Sequence, residues 1–143
     1  MIAFTVPGEP QGKGRPRAFR AGKGIRMFTP AKTEAYEQQV ASAGREAMAG
    51  REPLQGPLSV DLVAVVAVPQ SWSKKRRAGA LDGSELPAKK PDADNMAKAV
   101  ADGLNGIAYR DDAQVVDLRV RKRYGEVPGV RVEIREIRSD KLQ

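Results

Sequence analysis

The sequence predicts a two-layer α/β domain of the α+β kind, in which a small mixed β-sheet packs against helices. Three observations predict this class: one long apolar run rich in β-branched residues, two segments with apolar residues at helical spacing, and two C-terminal segments that alternate apolar and polar residues. The length of 143 residues is typical of one domain. A domain of this size buries roughly 70% of its unfolded surface, so we expect one domain with a real core over residues 1–143.

The N-terminal region predicts two short strands joined by a basic loop. Ile2–Val6 is the first strand, and Pro7-Gly8 ends it. Glycine and proline in Gln11–Arg17 exclude a regular helix there, so this segment is an exposed loop. Its arginines either bind phosphate groups or simply face solvent. Residues Ile25–Phe28 return as a second short strand.

The middle of the chain predicts a helix followed by an internal strand. Thr29 is a good N-cap and Pro30 suits the first helical position. Apolar side chains then recur at helical spacing and form a buried stripe up to Gly50, comprising Tyr36, Val40, Ala43 and Ala47. The run Leu58–Val68 is apolar on both alternating faces, which predicts a central strand buried on both sides.

A short basic helix and a connection come next. Ser71 is a plausible cap for a helix through Lys74, Lys75, Arg76 and Arg77. Trp72 either anchors this helix to the sheet or stacks on an unpaired base, and anchoring is favoured. Residues 82–90 lack periodicity and predict a flexible loop.

The C-terminal third predicts one helix and two strands. Apolar residues in Asp94–Leu104 share one helical face, and Asn105-Gly106 ends this helix, although such a pair can also signal a hairpin. Gln114–Lys122 alternates like a strand, and residues 130–134 continue as its partner. Residues 139–143 are expected to form a frayed tail.

The sequence contains no cysteine and no histidine, which excludes several kinds of chemistry. Disulfides, thiolate nucleophiles, Cys/His zinc sites, Ser-His triads and imidazole bases are all absent. Any catalysis must therefore use carboxylates, lysine, tyrosine, hydroxyl groups or a bound metal ion. No apolar run approaches the ~20 residues of a membrane span, and the N-terminus lacks the features of a signal peptide. We expect a cytoplasmic protein without membrane contact.

The net charge of +7 is unevenly distributed. Residues 1–30 have six basic and one acidic side chain, residues 71–90 six and two, and residues 117–138 seven and four. Residues 91–112 reverse the balance, with five acids and two bases. A basic surface indicates a polyanionic partner, most often nucleic acid, although it can also serve solubility alone.

The acidic island carries the candidate site. Asp92 and Asp94 stand two residues apart, just before helical periodicity begins, and Lys98 follows Asp94 by one helical turn. Asp111 and Asp112 lie in a turn after that helix. Crowded carboxylates repel each other unless a cation joins them, and oxygen-only sites with few side-chain ligands suit magnesium. The simpler interpretation, helix N-capping by Asp92 or Asp94, leaves the second acidic pair unexplained.

At these residues the chain resembles the RusA family of Holliday junction resolvases. The resemblance rests on the pattern Asp-x-Asp-Asn-x-x-Lys at 92–98, on Leu-Asn-Gly at 104–106 and on Asp-Asp-x-Gln-Val-Val at 111–116. It extends to Val-Pro-Gln-Ser-Trp-Ser at 68–73 and to Lys-Gly-Arg-Pro-Arg at 13–17. Most of the chain is therefore covered, in the family's order and spacing.

The resemblance implies a dimeric, Mg²⁺-dependent endonuclease, with Mn²⁺ as a substitute, that nicks four-way DNA junctions symmetrically. Carried over by motif, Asp92, Asp94 and Asp112 are the catalytic acids and metal ligands, Lys98 is the motif lysine, and Asp111 is a further candidate ligand. The expected DNA-binding residues are Lys13, Arg15, Arg17, Arg20, Lys74, Lys75, Arg76 and Arg77. Two alternatives are a catalytically inactive junction-binding protein and a metal-dependent phosphohydrolase acting on small nucleotides.

Overall fold

Four strands form the main sheet, in the order β1-β6-β4-β5. The computed structural model describes residues 1–138, with Arg17 described by its backbone only, so the predicted tail at 139–143 lies outside the described residues. The four strands are β1 (Ile2–Pro7), β4 (Leu58–Ala67), β5 (Val115–Gly125) and β6 (Gly129–Glu136). Strand β4 runs parallel to β5 and antiparallel to β6, which in turn pairs antiparallel with β1. The sheet is therefore mixed, as expected. The prediction that residues 130–134 are the partner strand of Gln114–Lys122 is wrong, because β4 lies between β5 and β6.

A separate two-stranded sheet and three helices complete the fold. Strands β2 (Arg17–Ala21) and β3 (Gly24–Phe28) pair only with each other. The helices are α1 (Ala31–Met48), α2 (Lys74–Leu81) and α3 (Ala93–Gly103), and a 3₁₀ turn spans Asp112–Gln114. The predicted α+β class is confirmed. Strand β2 was not expected, because its alternation of arginine with small and aromatic residues has no continuous apolar face.

The helices cover one face of the sheet. Along β4, the side chains that point to this face are buried, whereas those that point to the other face are half-buried. The prediction that Leu58–Val68 is buried on both sides is therefore wrong. Val63 and Val65 on the second face have no helix over them, and Arg121, Arg123 and Arg131 from the neighbouring strands share their surroundings. An apolar strand can thus be internal by pairing and still be covered on one side only.

Helix ends differ by a few residues from the sequence expectation. Helix α1 begins after Pro30, which occupies the cap position without a side-chain hydrogen bond, so Thr29 is not the cap. Helix α2 is capped by Ser73, whose hydroxyl accepts a hydrogen bond from the Arg76 N–H at 3.2 Å, and not by Ser71. Helix α3 ends at Gly103, before Asn105. Competing serines and prolines near a helix start cannot be ranked by propensity alone.

Trp72 anchors α2 to the sheet, as favoured from the sequence. Its ring lies 5.3 Å from that of Tyr124 in an edge-to-face arrangement, within a small apolar cluster that includes Val66, Val68 and Ala80. The Arg76 guanidinium stacks on the other side of the indole, 3.4 Å from the ring centroid. Such stacking adds to apolar burial because the aromatic face is electronegative.

Helices α1 and α3 pack closely through glycine. A Cβ on Gly103 would lie 2.9 Å from Val40 Cβ and 3.0 Å from the Glu37 carbonyl oxygen. Only a residue without a side chain permits this approach, and it fixes the position of α3 and its acidic residues against α1. Helix α3 in turn buries Met96, Ala97 and Val100 in the main core.

We expect Gly103→Ala to destabilise the protein by about 1–3 kcal/mol, because the added methyl group overlaps Val40 and the α1 backbone. The matched control is Gly79→Ala in α2, where an added Cβ meets no atom within 4 Å. This control should be neutral or slightly stabilising, since alanine favours helix. Urea denaturation of both variants gives the comparison, and equal midpoints would contradict the close packing of the two helices.

Candidate active site

Helix α3 presents two acids and a lysine at its N-terminal end. Asp92 occupies the N-cap position with extended backbone, yet its side chain makes no capping hydrogen bond. Asp94 and Lys98 stand one turn apart on the exposed side, while Met96 and Ala97 face the core. The capping interpretation for Asp92 is therefore not supported, and its carboxylate keeps its ligand-binding capacity.

The second acidic pair lies in a turn that side chains hold firmly. The Asp111 carboxylate accepts a hydrogen bond from the Ala113 N–H at 3.2 Å and caps the 3₁₀ turn. The Gln114 side-chain oxygen accepts from the N–H groups of Arg110 and Asp111, and its amide group donates to the carbonyls of Leu54 and Gly56. Gln114 therefore ties the acidic turn to the segment before β4.

Asn105 holds the same turn from the other side. Its side-chain oxygen accepts a hydrogen bond from the Asp112 N–H at 2.9 Å. Asn105 follows α3 directly, so the backbone of Asp112 is attached to the end of the helix that carries Asp94. The motif residues Asn105 and Gln114 thus work as supports, a role that the sequence pattern alone did not reveal.

Asp94, Lys98 and Asp112 line one cavity of about 320 Å³. Its floor is apolar and comes from α3 and the sheet, including Val60, Leu62 and Leu118. Leu118 is exposed although it points to the helix side of the sheet, since α3 does not reach over it. The cavity therefore joins polar groups at its rim to an apolar base, an arrangement typical of ligand sites.

Asp112 is the most perturbed carboxyl group of the site. Partial burial raises its pKa above the ordinary value of 3.8, and the neighbouring Asp111 and Asp102 raise it further. The hydroxyl of the adjacent Tyr109 donates to the Ala101 carbonyl at 2.8 Å, and burial followed by the nearby carboxylates raises the pKa of Tyr109 strongly. Tyr109 therefore stays protonated and acts as a structural group, while Asp112 favours a nearby cation.

Asp102 is a site residue that the sequence interpretation missed. It follows Lys98 by four positions and Asp94 by eight, so helical spacing alone was enough to place it near them. Its carboxylate lies 3.1 Å from Lys13 Nζ, and Lys13 also binds Glu37 of α1. The carboxylate pair raises the pKa of Lys13 despite the opposing effect of burial. The positive charge of Lys13 therefore lies next to Asp102 and Glu37.

Residues 11–14 form a strap across the start of α3. The Lys13 N–H donates to the Asn95 carbonyl at 3.0 Å, and the Gly14 N–H donates to the Thr33 hydroxyl at 2.9 Å. A Cβ on Gly12 would come within 3.2 Å of Asn95 Cβ, so glycine permits the close approach. Together with Asp92, Lys32 and Lys90, the strap lines a neighbouring cavity, which does not contain Asp94 or Asp112.

The expected DNA-binding residues fall into two groups in the structure. The side chains of Arg15 and Arg20, and of Lys74 and Lys75 on α2, are exposed. Arg77 is half-buried. Arg76 stacks on Trp72 and forms a bidentate ion pair with Glu85, with N–O distances of 2.9 and 3.1 Å. The side chain of Lys13 is only 17% exposed, and it forms ion pairs with the carboxylates of Glu37 and Asp102. The exposed residues are free to meet phosphate, whereas Lys13 and Arg76 already have partners.

The donor set suits a hard divalent cation. Among residues 1–138, no three carboxylates converge closely enough to form a complete metal cage. Magnesium does not need one, because it keeps several waters and takes one or two protein carboxylates. Asp94 and Asp112, from separate segments but on one cavity, fit that requirement. The oxygen-only chemistry of these side chains fits such an ion as well.

Comparisons with known proteins identify the family of the chain. The family described as endodeoxyribonuclease RusA matches residues 7–135. The chain belongs to the RusA endodeoxyribonuclease family. It is therefore a hydrolase that cuts phosphodiester bonds in DNA. A relative from Bacillus subtilis (strain 168), the uncharacterized protein YqaN, is 44% identical over 142 residues, covering 95% of this chain and 96% of that protein.

Membership of the RusA family places the acidic residues in a nuclease. The family implies Holliday junction resolution, a branched DNA substrate and dependence on a divalent metal. No helix within residues 1–138 has the length and apolar character needed to cross a membrane. The matched region contains both acidic segments, the strap and the two basic groups of side chains.

We expect Lys13→Gln to lower the free energy of unfolding by about 1–3 kcal/mol, because Glu37 and Asp102 lose a shared charged partner. Junction binding should keep its salt dependence, since Lys13 is not free to meet phosphate. Thermal unfolding and binding at several salt concentrations provide both measurements.

The matched control is Lys23→Gln at the exposed turn between β2 and β3. This substitution should leave stability unchanged and lower the slope of log affinity against log salt by about one. If Lys13→Gln lowered the slope as Lys23→Gln does, Lys13 would be a DNA contact and not an internal ion-pair partner.

Proposed function

We propose that this chain is a Mg²⁺-dependent, structure-selective endonuclease that acts in the cytoplasm and resolves four-way DNA junctions by paired symmetric nicks. The observation that best supports the proposal is the single cavity shared by Asp94, Lys98 and Asp112, which lies within a basic chain of net charge +7. Family membership favours a DNA endonuclease over a phosphohydrolase of small nucleotides or an inactive binding protein.

Asp94 and Asp112 are the proposed ligands of the divalent ion. Asp111, next to Asp112, and Asp92, on the neighbouring cavity, are further candidate carboxylates. When bound, the ion would neutralise charge on the scissile phosphate, lower the pKa of a bound water and stabilise the leaving oxygen. Asn105 holds the backbone of Asp112 and Gln114 holds that of Asp111, which serves this purpose because ligands held in place in advance lose little entropy on binding.

Lys98 is proposed to bind the scissile phosphate. It shares the cavity with Asp94 and Asp112, and the ion pairs recorded within residues 1–138 do not include one between Lys98 and Asp94. Its ammonium group therefore remains available for a non-bridging phosphate oxygen. Its flexible stem lets the charge follow the phosphate as bonds rearrange.

Two sets of basic residues are proposed to hold the DNA arms around this cavity. Arg15, Arg17 and Arg20 precede α1, and Lys74, Lys75, Arg76 and Arg77 lie on α2. Of these, Arg76 has its internal partner Glu85 and needs to exchange it for a phosphate. Such contacts supply affinity and orientation, whereas the acids supply the chemistry.

We expect Asp92→Asn, Asp94→Asn and Asp112→Asn each to reduce cleavage of a synthetic junction by at least about 100-fold, as removal of a key charge at a catalytic centre does. Junction binding should stay the same or tighten, because a negative charge near DNA is lost. Ca²⁺ should support binding with little turnover, and excess EDTA should stop cleavage. The charge-matched control is Asp117→Asn on β5, which should cleave normally.

Melting temperature provides a second readout for Asp112. Its folded-state pKa lies above 3.8, so the stabilising contribution of the protonated form is present at low pH and is lost as pH rises through that raised pKa. At neutral pH, metal-free Asp112→Asn should therefore melt above the wild type. Magnesium should raise the melting temperature of the wild type more than that of the variant.

In the cleavage assay, full cleavage by any two of the variants Asp92→Asn, Asp94→Asn and Asp112→Asn would exclude the proposed ligand set.

We further propose a symmetric homodimer. Among residues 1–138, Asp94 and Asp112 share a single cavity and so supply one proposed cleavage site per chain, while resolution of a four-way junction needs two nicks in opposed strands. The interface is proposed to use β5, an edge strand of the main sheet that exposes Val116 and Leu118. An exposed edge strand can pair with a second copy of itself, and Leu118 also lines the cavity, so this interface would bring the two sites near each other.

Mixed dimers test this arrangement. Wild-type subunits co-assembled with Asp94→Asn subunits should nick one strand of a cruciform in supercoiled DNA and accumulate nicked circles. The wild type should yield linear DNA from the same substrate, because both of its sites act in one complex. The homodimer proposal would be abandoned if a protein that sediments as a monomer on its junction still made linear product in one binding event.

A further inference from the structure

The ribbon formed by β2 and β3 exposes apolar side chains that no part of residues 1–138 covers. Ile25 is 75% exposed and Met27 is 62% exposed, while Phe19 and Phe28 are 46% and 44% exposed. An isolated two-stranded hairpin gains little stability from its own contacts. Four large apolar residues on such a ribbon therefore indicate a surface that acquires a partner.

The apolar residues are divided between the two faces of the ribbon. Residues that pair across an antiparallel ladder point to the same side, so Ile25 pairs with Arg20 and Met27 with Ala18 on one face. Phe19 pairs with Arg26 on the opposite face, where the Phe19 and Phe28 rings meet edge to face at 5.5 Å. The aromatic pair supports the ribbon internally, which leaves Ile25 and Met27 as the side chains without such a role.

The charge of the ribbon identifies the class of its partner. Residues 15–28 contain five basic side chains and no acidic one: Arg15, Arg17, Arg20, Lys23 and Arg26. A second ribbon would bring like charges together, whereas a nucleic acid would be attracted. Base faces and base steps accept apolar side chains, and proteins that kink DNA insert such residues between bases.

The base of the ribbon lies beside the acidic site. The strap at residues 11–14 crosses the first turn of α3 through the Lys13–Asn95 hydrogen bond, and Gly14 contacts α1 through Thr33. The ribbon follows the strap directly. A DNA strand held near Asp92 and Asp94 therefore passes close to the ribbon.

We propose that the β2–β3 ribbon inserts Ile25 and Met27 against exposed bases at the branch point of the DNA, while its arginines and Lys23 hold the flanking phosphates. Unpaired or weakly stacked bases occur at a branch and are scarce in linear duplex, so the apolar contact discriminates branched from linear DNA. The inference rests on the proposed function for its substrate, and it adds the element that recognises the branch.

The test compares Ile25→Ser/Met27→Ser with Val127→Ser, which removes an 80% exposed apolar residue outside the ribbon, in the turn between β5 and β6. The aromatic pair is retained so that the ribbon keeps its internal contact. Binding is measured by titration in Ca²⁺ with a four-way junction and with linear duplex of the same sequence. A 2-aminopurine base at the branch point, or within one arm, reports unstacking by its fluorescence.

The double variant should bind the junction about tenfold more weakly, a loss of about 1.4 kcal/mol, and bind duplex within about twofold of wild type. Wild type and Val127→Ser should raise fluorescence at the branch point, and the double variant should not. Arg20→Gln/Lys23→Gln should instead weaken both DNAs and lower the salt slope while keeping the preference for the junction.

Equal losses on junction and duplex, or an unchanged branch-point signal in the double variant, would overturn the inference. Sedimentation of the double variant as a monomer, where the wild type is a dimer, would assign the ribbon to subunit contact and overturn it too. Failure of the proposed function has a separate signature: wild type would bind and unstack the branch point in Ca²⁺ yet leave the junction uncut in Mg²⁺.

Discussion

The close packing of α3 against α1 and the main sheet determines where Asp94 and Lys98 lie. Gly103 allows the helix to approach Val40 and the α1 backbone, and Met96 and Val100 bury its inner face. With the helix held in this way, Asp94 and Lys98 must point outward over the sheet. Asn105, immediately after the helix, then attaches the Asp112 turn. One packing contact therefore sets the geometry of two acidic segments that are distant in sequence.

The site concentrates negative charge at a cost in stability that the surrounding residues offset. Partial burial, and then the neighbouring Asp111 and Asp102, raise the pKa of Asp112, so its surroundings disfavour the ionised form. Lys13 offsets part of the negative charge through its ion pair with Asp102, while Gln114 and Asn105 hold the turn in place. A divalent cation bound at the proposed site would relieve the remaining repulsion.

Charge outside the site has the opposite sign and is arranged around it. The ribbon, α2 and the uncovered face of the sheet are rich in arginine and lysine. Such a basic surface attracts a polyanion. In the proposed function, this attraction belongs to the basic residues, and the metal-dependent chemistry belongs to Asp94 and Asp112.

The sequence by itself determined the fold class, the acidic pattern at 92–98 and 111–112, the absence of imidazole and thiol chemistry, and the family. These follow from local periodicity and from residue types, which need no tertiary contact to be read. The tertiary structure decided the existence of strand β2, the single-sided burial of β4, and the caps at Pro30 and Ser73, because each depends on which elements pack beside it.

The role of Lys13 was also decided by the tertiary structure. Its sequence neighbours are basic and suggest DNA contact, yet in the fold its ammonium group is paired with Glu37 and Asp102. Asp92 and Asp94 are two residues apart in the chain but line different cavities, because a helix start turns successive side chains to different sides.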